Sequence, residues 1–403
     1  MIEINGKLNT AICYAKVVDD NAIEQIRRMC DHEFSLGSKI RIMPDVHTGN
    51  GCTIGTTMTI IDKVVPNIVG VDIGCGMYTV ELGNVDIDFE KVDAISHYIP
   101  NGREVWPKCV EHFDLRRLRC YKELKKTSYL ERSLGTLGGG NHFIEIDVSS
   151  NGTKYLVIHS GSRNLGKQVA EYYQSLAIDL NAGRIGFIDH RNELICKYKE
   201  EGRASEIEAA LKNLSKEWAK KETTIPEDLC YLYGSYLDDY LCDIEICQQF
   251  AKRNREIIAK NILDYTKMDA LSSFHTIHNY IDTNEMILRK GSIAAHDGEL
   301  VLIPINMRDG SVLARGKGNE EWNYSAPHGA GRLLSRSKAL EVLDLDTYKK
   351  SMEGIYTTSV NKLTIDEAPM AYKSLSDIID VIKESVDVIE VLKPIYNFKS
   401  SNS

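Results

Sequence analysis

The sequence contains no CxxC pair, although it has ten cysteines among its 403 residues. The two closest cysteines, Cys242 and Cys247, lie in a helical pattern and face different sides of it. This excludes a zinc ribbon, and ten cysteines in a chain of this length do not indicate a disulfide framework. Any metal site must therefore combine cysteine with other residue types.

Long apolar runs and an excess of positive charge are also absent. No segment approaches the roughly 18 consecutive apolar residues of a membrane span, and residues 1–9 lack the character of a secretion signal. Lys and Arg number 49 against 58 Asp and Glu, for a net charge of -9. We therefore expect a cytoplasmic protein without membrane contact, in which any nucleic-acid site is a local basic groove.

Proline is scarce, and no linker, repeat or low-complexity run divides the chain. Short β-branched runs predict strands at 58–61, 155–158 and 300–303. Apolar residues at helical spacing predict helices over 204–221, 240–264 and 374–392, followed by an extended segment at 395–399. The simplest organisation is one domain over residues 1–403 with a helical insertion at about 200–264.

Glycine is concentrated around histidine and cysteine in five short segments. These segments are 44–51, 74–76, 138–142, 159–163 and 328–332. Glycine-rich loops let the backbone approach a ligand closely. One such histidine alone is more often structural than functional, but five together favour a ligand site.

Two of these segments carry the residue types of a mixed metal site. Asp72 and Cys75 follow an apolar run and enter a glycine turn, where both can face one point. His159 ends a predicted strand, and His142 and His278 each adjoin an asparagine. Each histidine alone also fits a capping or turn role. Thiolate, imidazole and carboxylate together suit Zn, Mn, Fe or Co better than Mg or Ca.

Residues 161–168 nearly match a phosphate-binding P-loop after a predicted strand. Gln168 stands where that motif needs Ser or Thr to hold Mg, which argues against a P-loop NTPase. Arg163 and Lys167 still resemble anion-binding residues beside a glycine turn, and exposed charges in a solvated turn are the alternative.

Basic residues cluster beside glycines in the last third of the chain. They are Arg289, Lys290, Arg315, Lys317, Arg332, Arg336 and Lys338. Guanidinium groups near glycine suit phosphates, and His328 could attack a phosphorus atom as a neutral imidazole. A lysine nucleophile is excluded, because Ala295 and Met307 occupy the required position before the two Asp-Gly pairs.

The ordered motifs resemble those of the RtcB RNA ligases. The matching segments are 44–47, 70–76, 138–145, 159–163, 289–291 and 328–332. The resemblance implies a GTP-dependent ligase that uses two Mn ions. Such an enzyme joins RNA ending in a 3′-phosphate or 2′,3′-cyclic phosphate to RNA with a 5′-hydroxyl. A mixed α/β (α+β) fold with a β-rich core and peripheral helices is also implied.

The resemblance further implies a role for each matching residue. His328 is the nucleophile that forms the GMP adduct, assisted by Arg332. The implied metal ligands are Asp72, Cys75, His142, His159 and His278. The residues implied to hold GMP are Asn141, Glu145, Asn306, Ser311 and Lys399. Those implied to hold phosphates or RNA are Arg163, Lys290, Arg332 and Arg336.

One segment departs from the family pattern. Residues 303–310 stand where the best-known members have Ile-Pro-Gly-Ser-Met-Gly. Asn306 keeps a hydrogen-bonding side chain there, and we expect the charge of Arg308 close to the nucleotide or the RNA.

Two alternatives and one partner complete the sequence-based hypotheses. A metal-dependent phosphoester hydrolase could use the same Asp, Cys and His set to activate water, without His328 or the basic cluster. A noncatalytic RNA-binding module fits poorly with the negative net charge and the lack of an aromatic platform. An archease-like activating partner is a further possibility under the ligase hypothesis.

Overall fold

Seventeen strands form within residues 1–219 and 221–400, the part of the chain that this computed structural model describes. They are β1 Ile2–Asn5, β2 Thr10–Cys13, β3 Ile40–His47, β4 Ile54–Thr59, β5 Lys63–Val64, β6 Gly76–Gly83, β7 Phe143–Val148, β8 Lys154–Ser160, β9 Leu232–Tyr233, β10 Ser272–Ile277, β11 Asn279–Asp282, β12 Ile287–Lys290, β13 Ser292–Ala294, β14 Leu300–Asn306, β15 Gly310–Gly316, β16 Ser325–Pro327 and β17 Val386–Lys399.

Eleven α-helices lie in the same described ranges. They are α1 Asp20–Cys30, α2 Pro66–Val69, α3 Phe89–Tyr98, α4 Thr127–Arg132, α5 Arg163–Asn181, α6 Phe187–Glu200, α7 Ile207–Ala219, α8 Ser235–Thr266, α9 Arg336–Val342, α10 Leu345–Ser351 and α11 Leu375–Ile382. None of the helices in these ranges is long and apolar enough to span a bilayer.

Two large sheets build the core, and the predicted mixed α/β class is confirmed. One sheet has seven strands in the order β10-β6-β8-β7-β17-β15-β14, and the other has six in the order β1-β2-β3-β4-β12-β11. In the seven-stranded sheet, β7 pairs antiparallel with both β8 and β17. Neighbouring strand residues point to opposite faces, so each strand of this sheet contributes side chains to both of its faces.

Strand β7 shows this division most clearly. Ile144 and Ile146 belong to an apolar cluster that also includes Ile258 of α8. Glu145 and Asp147 point to the opposite face and are buried there. Strand β7 thus carries two buried carboxyl groups on the face away from α8.

Helix α8 is the longest helix described, with 32 residues. Its buried residues include Asn254 and Arg255, whose side chains bind the backbone of loops described below. The single domain over residues 1–403 and its helical insertion at about 200–264 stay predictions.

Most predicted elements agree with the structure. The strands predicted at 155–158 and 300–303 lie within β8 and β14, and the run at 58–61 overlaps the end of β4. The helix predicted over 240–264 lies within α8. Helix α7 covers most of the helix predicted over 204–221. Residue 220 of that prediction lies outside the described residues.

The predicted helix over 374–392 is wrong in its second half. Helix α11 ends at Ile382, and β17 begins at Val386 and runs through the extended segment predicted at 395–399. Strand β17 pairs with β15 on one side and with β7 on the other. Two hydrogen-bonded neighbours and a β-branched run around Val388 outweigh the helical spacing of the apolar residues.

Candidate active site

A glycine turn between α2 and β6 positions Asp72 and Cys75. Gly74 adopts a φ of +73°, and its N–H donates to the carbonyl of Asn279 at 2.6 Å. A Cβ at Gly74 would lie 2.9 Å from the Cβ of Ala251 on α8. Glycine is therefore required here both by the backbone conformation and by the close approach of the helix.

Three histidines from separate elements meet this turn. His142 directly precedes β7, His159 lies on β8, and His278 connects β10 to β11. The Sγ of Cys75 lies 3.5 Å from Nε2 of His142 and 3.3 Å from Nε2 of His159. Nε2 of His142 lies 2.9 Å from Oδ2 of Asp72, and Nε2 of His159 lies 3.0 Å from Nε2 of His278.

The orientation of the imidazoles fits a bound cation. Nδ1 of His142 faces the carbonyl of Leu137 at 2.9 Å, and Nδ1 of His159 faces the carbonyl of Asn141 at 3.1 Å. Nδ1 must therefore donate in both rings, which directs the Nε2 lone pairs toward the Cys75 thiol, the Asp72 carboxylate and Nε2 of His278. Facing lone pairs repel unless a proton or a cation lies between them. The donor set therefore fits a metal.

These donors form two groups that share Cys75. Asp72, Cys75 and His142 form one group, and Cys75, His159 and His278 form the other, with the ligand atoms of each within 4.8 Å of one another. Nδ1 of His278 has no hydrogen-bond partner in the described part of the chain. The mixture of sulfur, nitrogen and oxygen agrees with the metals expected from the sequence.

Burial controls the protonation of this cluster. Burial lowers the pKa of His159 and His278 well below the usual range, so both imidazoles are neutral and able to bind a metal. Burial, followed by the charge of Asp72, raises the pKa of the Cys75 thiol. Burial is the largest influence on the pKa of Asp72 and raises it, but the hydrogen bond with His142 and the charges of His142 and Arg163 together leave that pKa lowered.

Two buried side chains of α8 hold the loops of the cluster. Arg255 is fully buried and donates to the carbonyls of Gly74 and Ser160 at 2.7 and 2.8 Å. The Asn254 side chain accepts from the N–H of Gly135 at 2.7 Å and donates to the hydroxyl of Ser160 at 2.9 Å. These bonds connect the cysteine turn to the end of β8.

His328 lies beside the cluster and is oriented by a buried carboxylate. Its Nδ1 lies 2.7 Å from Oδ2 of Asp45, which is fully buried. The ring centroids of His328 and His278 are 4.8 Å apart. Because Nδ1 donates to Asp45, Nε2 keeps its lone pair, as a nucleophile requires.

A cavity of about 320 Å³ joins His328 to the nucleotide residues predicted from the sequence. The predicted site residues that line it are Asn141, Glu145, His159, His278, Asn306, His328, Arg332, Arg336 and Lys399. His47, Glu367, Tyr372 and Asn397 line it as well.

The cations of this cavity converge on Glu367. Lys399 Nζ lies 2.8 Å from Oε2 of Glu367, and a guanidinium nitrogen of Arg336 lies 2.7 Å from Oε1. Arg332 bonds the hydroxyl of Tyr372 at 3.0 Å and Glu367 at 3.3 Å. Burial alone would raise the pKa of Glu367, but Lys399 and Arg336 lower it to about 2.

Glu145 lies in the cavity wall with few charged neighbours. Its Oε2 accepts a hydrogen bond of 2.6 Å from Nδ2 of Asn397. Burial raises the pKa of Glu145 to about 7, and the charge of Lys399 only partly opposes this. The carboxyl group therefore changes its charge near neutral pH.

Several predicted residues do not line the cavity. Asp72, Cys75 and His142 belong to the metal-type cluster. Arg163 donates to Thr136 and to the carbonyl of Gly102. Lys290 donates to the carbonyls of Asn50 and Asn67. Ser311 is fully buried on β15, and its hydroxyl has no partner in the described ranges.

The departing segment forms a closed turn. Oδ1 of Asn306 accepts from the N–H groups of Arg308 and Asp309, and its Nδ2 donates to Asp309 at 2.9 Å. Arg308 is exposed and pairs with Asp309 at 2.9 Å. The sequence led us to expect the charge of Arg308 close to the nucleotide or the RNA. In the structure this charge is paired with Asp309, and Arg308 is not among the residues that line the cavity.

The sequence reasoning missed three residues of this site. Asp45 lies within the motif at 44–47, so the sequence did contain a signal for this residue. Glu367 and Tyr372 lie in a region of short turns without any glycine-histidine motif. Their contacts with Arg332, and those of Glu367 with Arg336 and Lys399, reveal their place in the cavity.

Comparisons with known proteins identify the family of this chain. A family model described as tRNA-splicing ligase RtcB matches residues 25–125 and 116–400. The RNA-splicing ligase RtcB of Escherichia coli strain K12 is 28% identical over 401 residues, which cover 88% of each chain. The tRNA-splicing ligase RtcB of Aeropyrum pernix is 26% identical over 438 residues, covering 84% of this chain and 83% of the relative. The chain therefore belongs to the RtcB family of RNA ligases.

Proposed function

We propose that this chain joins RNA 3′-phosphate or 2′,3′-cyclic phosphate ends to 5′-hydroxyl ends through a GMP adduct on His328, with GTP and Mn²⁺. The observation that carries the proposal is the pairing of His328 with buried Asp45, in a cavity that His159 and His278 of the Cys, His and Asp cluster also line. A hydrolase that activates water at the metal has no need of an oriented histidine of this kind.

His328 supplies the nucleophile of the first step. Its Nε2 lone pair attacks the α-phosphorus of GTP, the P–N bond forms, and the P–O bond to pyrophosphate breaks. Asp45 accepts the hydrogen bond from Nδ1 and stabilises the positive charge that develops on the ring. The role of Asp45 is therefore to orient the ring and favour the adduct.

The remaining steps transfer the activated phosphate. An oxygen of the RNA 3′-phosphate attacks the GMP phosphorus, and the P–N bond to His328 breaks. The 5′-hydroxyl of the second RNA then attacks the activated 3′-phosphate, loses its proton, and GMP leaves. A 2′,3′-cyclic phosphate must first be hydrolysed to a 3′-phosphate.

The residues proposed to hold two metal ions are those of the two groups sharing Cys75. Asp72 and His142 complete one group, and His159 and His278 complete the other. Bound Mn²⁺ supplies positive charge that offsets the repulsion between phosphates. The thiol of Cys75 must lose its proton when it binds, so metal binding releases a proton at this position.

The residues proposed to bind nucleotide and phosphate retain these roles with one distinction. Three cations line the cavity, and ion pairs with Glu367 hold them there: Arg332, Arg336 and Lys399. Asn141, Glu145 and Asn306 line the same space. Arg163, Lys290 and Ser311 lie outside the lining, so their proposed contacts with phosphate or nucleotide are indirect.

Labelling with radioactive GTP tests the nucleophile. Purified protein is incubated with Mn²⁺ and α-labelled GTP, and we expect a label on the protein that is labile to acid and stable to alkali. His328→Ala should abolish the label without loss of bound metal. The matched control is His112→Ala, the same change at an exposed histidine.

Label retained by His328→Ala contradicts the proposed nucleophile. If neither GTP nor ATP labels the protein, and an archease-like activator does not restore labelling, the metal-dependent hydrolase is favoured. A second assay with RNA of defined ends then tests the substrate, because 5′-hydroxyl ends should be joined to 3′-phosphate or 2′,3′-cyclic phosphate ends and not to 3′-hydroxyl ends.

A further inference from the structure

His47 is a partly buried histidine of the cavity that the proposed steps do not use. It ends β3 and lines the cavity together with His328. Its Nδ1 lies 2.9 Å from the carbonyl oxygen of Asp45, and a carbonyl only accepts, so Nδ1 donates. In the neutral ring Nε2 therefore carries the lone pair, and it makes no hydrogen bond within the described ranges.

Asp45 holds two imidazoles in the same tautomer. Its side chain accepts from Nδ1 of His328 at 2.7 Å, and its main-chain carbonyl accepts from Nδ1 of His47. Both rings line one cavity, and each has an Nε2 lone pair available there. The attack on GTP uses only the ring of His328. The second imidazole is therefore available for another step of the reaction.

Glycine at position 291 lets the end of β3 pack close to His328. His47 pairs with Ile54 in the ladder between β3 and β4. A Cβ at Gly291 would lie 2.1 Å from Cγ2 of Ile54 and 3.3 Å from Cε1 of His328. Because Gly291 has no Cβ, Ile54 occupies this place and brings the paired His47 toward the nucleophile. All four residues line the cavity.

The geometry of the joining step separates its base from His328. The 5′-hydroxyl attacks the activated 3′-phosphate in line with the P–O bond to GMP, so it approaches from the side opposite GMP. His328 lies at the GMP phosphorus, because it held GMP in the preceding step. The group that takes the hydroxyl proton must therefore be a different side chain of the cavity wall.

The carboxyl and phenol groups of the cavity wall are already engaged. Glu145 accepts a hydrogen bond of 2.6 Å from Asn397. Glu367 is bound by the cations at its end of the cavity, and the hydroxyl of Tyr372 donates to it at 2.8 Å. These groups therefore have partners that a proton from the RNA would have to displace.

Two of the remaining imidazoles are engaged as well. His159 and His278 face each other at 3.0 Å within the metal-type cluster. His47 stands outside both groups of that cluster, and its Nε2 is without a partner in the described ranges. Burial lowers the pKa of His47, so the ring is neutral and able to accept a proton at neutral pH.

We propose that His47 is the general base of the joining step: its Nε2 accepts the proton of the RNA 5′-hydroxyl as that oxygen attacks the activated 3′-phosphate. The inference rests on the proposed function, which supplies the activated phosphate. The O–H bond breaks, the bond from oxygen to the 3′-phosphorus forms, and the P–O bond to GMP breaks. GMP leaves as an anion, and the imidazolium of His47 then returns its proton to solvent.

Separate assays of labelling, RNA activation and joining test this role. His47→Gln keeps a side-chain N–H for the carbonyl of Asp45 and removes the base. We expect GTP labelling and activation of the RNA 3′ end within about twofold of wild type, and joining slowed by about 10²- to 10⁴-fold, so that activated RNA accumulates. His112→Gln, at an exposed histidine, is the matched control.

Imidazole in solution distinguishes a base from a structural side chain. His47→Ala removes the ring, and added imidazole should restore joining in this variant without changing GTP labelling. The proposal is overturned if His47→Gln joins activated RNA at the wild-type rate, or if labelling falls as far as joining does. Joining by His47→Ala that imidazole does not restore also overturns it.

RNA with a chemically prepared GMP-activated 3′-phosphate separates this proposal from the proposed function. Its joining to 5′-hydroxyl RNA requires neither GTP nor an adduct on His328. If the wild type takes no GTP label, the proposed nucleophile fails, while joining of this RNA by the wild type and by His47→Gln still decides the role of His47. A wild type that does not join it either overturns both.

Discussion

The site has two ends with opposite electrostatics: the metal-type cluster around Cys75, which meets the cavity through His159 and His278, and the cations around Glu367. At the Cys75 end, a thiol, a carboxylate and imidazole lone pairs face one another within 3.5 Å. At the Glu367 end, cations surround a buried carboxylate and are balanced by it. The first end therefore fits a proton or a cation from outside the chain, whereas the second carries its own counterion. This difference predicts that metal removal and loss of Glu367 have different effects.

The largest effect is expected from Cys75→Ala. Both groups of metal-type ligands lose their shared member, so metal affinity should fall by more than the roughly 10- to 100-fold typical of residues that only support a ligand. Metal analysis after dialysis should find no bound metal in this variant, and the GTP-labelling assay should find no label on the protein. Stoichiometric metal in this variant would contradict the assigned ligands. Cys109→Ala, at an exposed cysteine, is the matched control.

A smaller effect is expected from Asp45→Asn, because the nucleophile and the metal-type cluster both remain. An amide at this position can donate to Nδ1 of His328 and so favour the wrong tautomer, with the proton on Nε2. We expect labelling by GTP to slow by about 10²- to 10⁴-fold with unchanged metal content. Single-turnover kinetics measure this, and an unchanged rate would show that Asp45 does not orient the ring.

The smallest effect is expected from Glu367→Gln, and it should appear first in stability. The pKa of Glu367 is lowered to about 2, so its charge stabilises the fold fully at pH values above the usual pKa of a glutamate. This stabilisation is lost as the pH falls toward 2. The shift corresponds to about 3 kcal/mol of unfolding free energy at pH 7. Denaturant unfolding should show this loss at pH 7 and a smaller one near pH 3.

Glu353→Gln is the control for this measurement, because Glu353 is exposed. It should change the unfolding free energy by less than about 0.5 kcal/mol. Equal stabilities of the wild type and Glu367→Gln at pH 7 would show that the cations at this end do not depend on Glu367. Metal content should be unchanged in both variants, unlike in Cys75→Ala.

Local patterns predicted the elements that depend on nearby residues. The glycine turn around Gly74 needs a left-handed backbone and close contact with α8, and both requirements select glycine. The strand before His159 and the long helix over 240–264 also followed from periodicity. The helix expected over 374–392 failed because β17 gains partners on both edges, which apolar spacing does not report.

The sequence by itself determined which residue types stand in glycine-rich loops and therefore which donors a ligand site could contain. Only the tertiary structure decided their partners. Asp45 and His328 meet across 283 residues of sequence, and Asp243 accepts hydrogen bonds from Arg119, Cys120 and Tyr173. Such contacts could not be predicted from the sequence, because they depend on strand register and on the packing of distant segments. The local spacing of residues specifies neither of these.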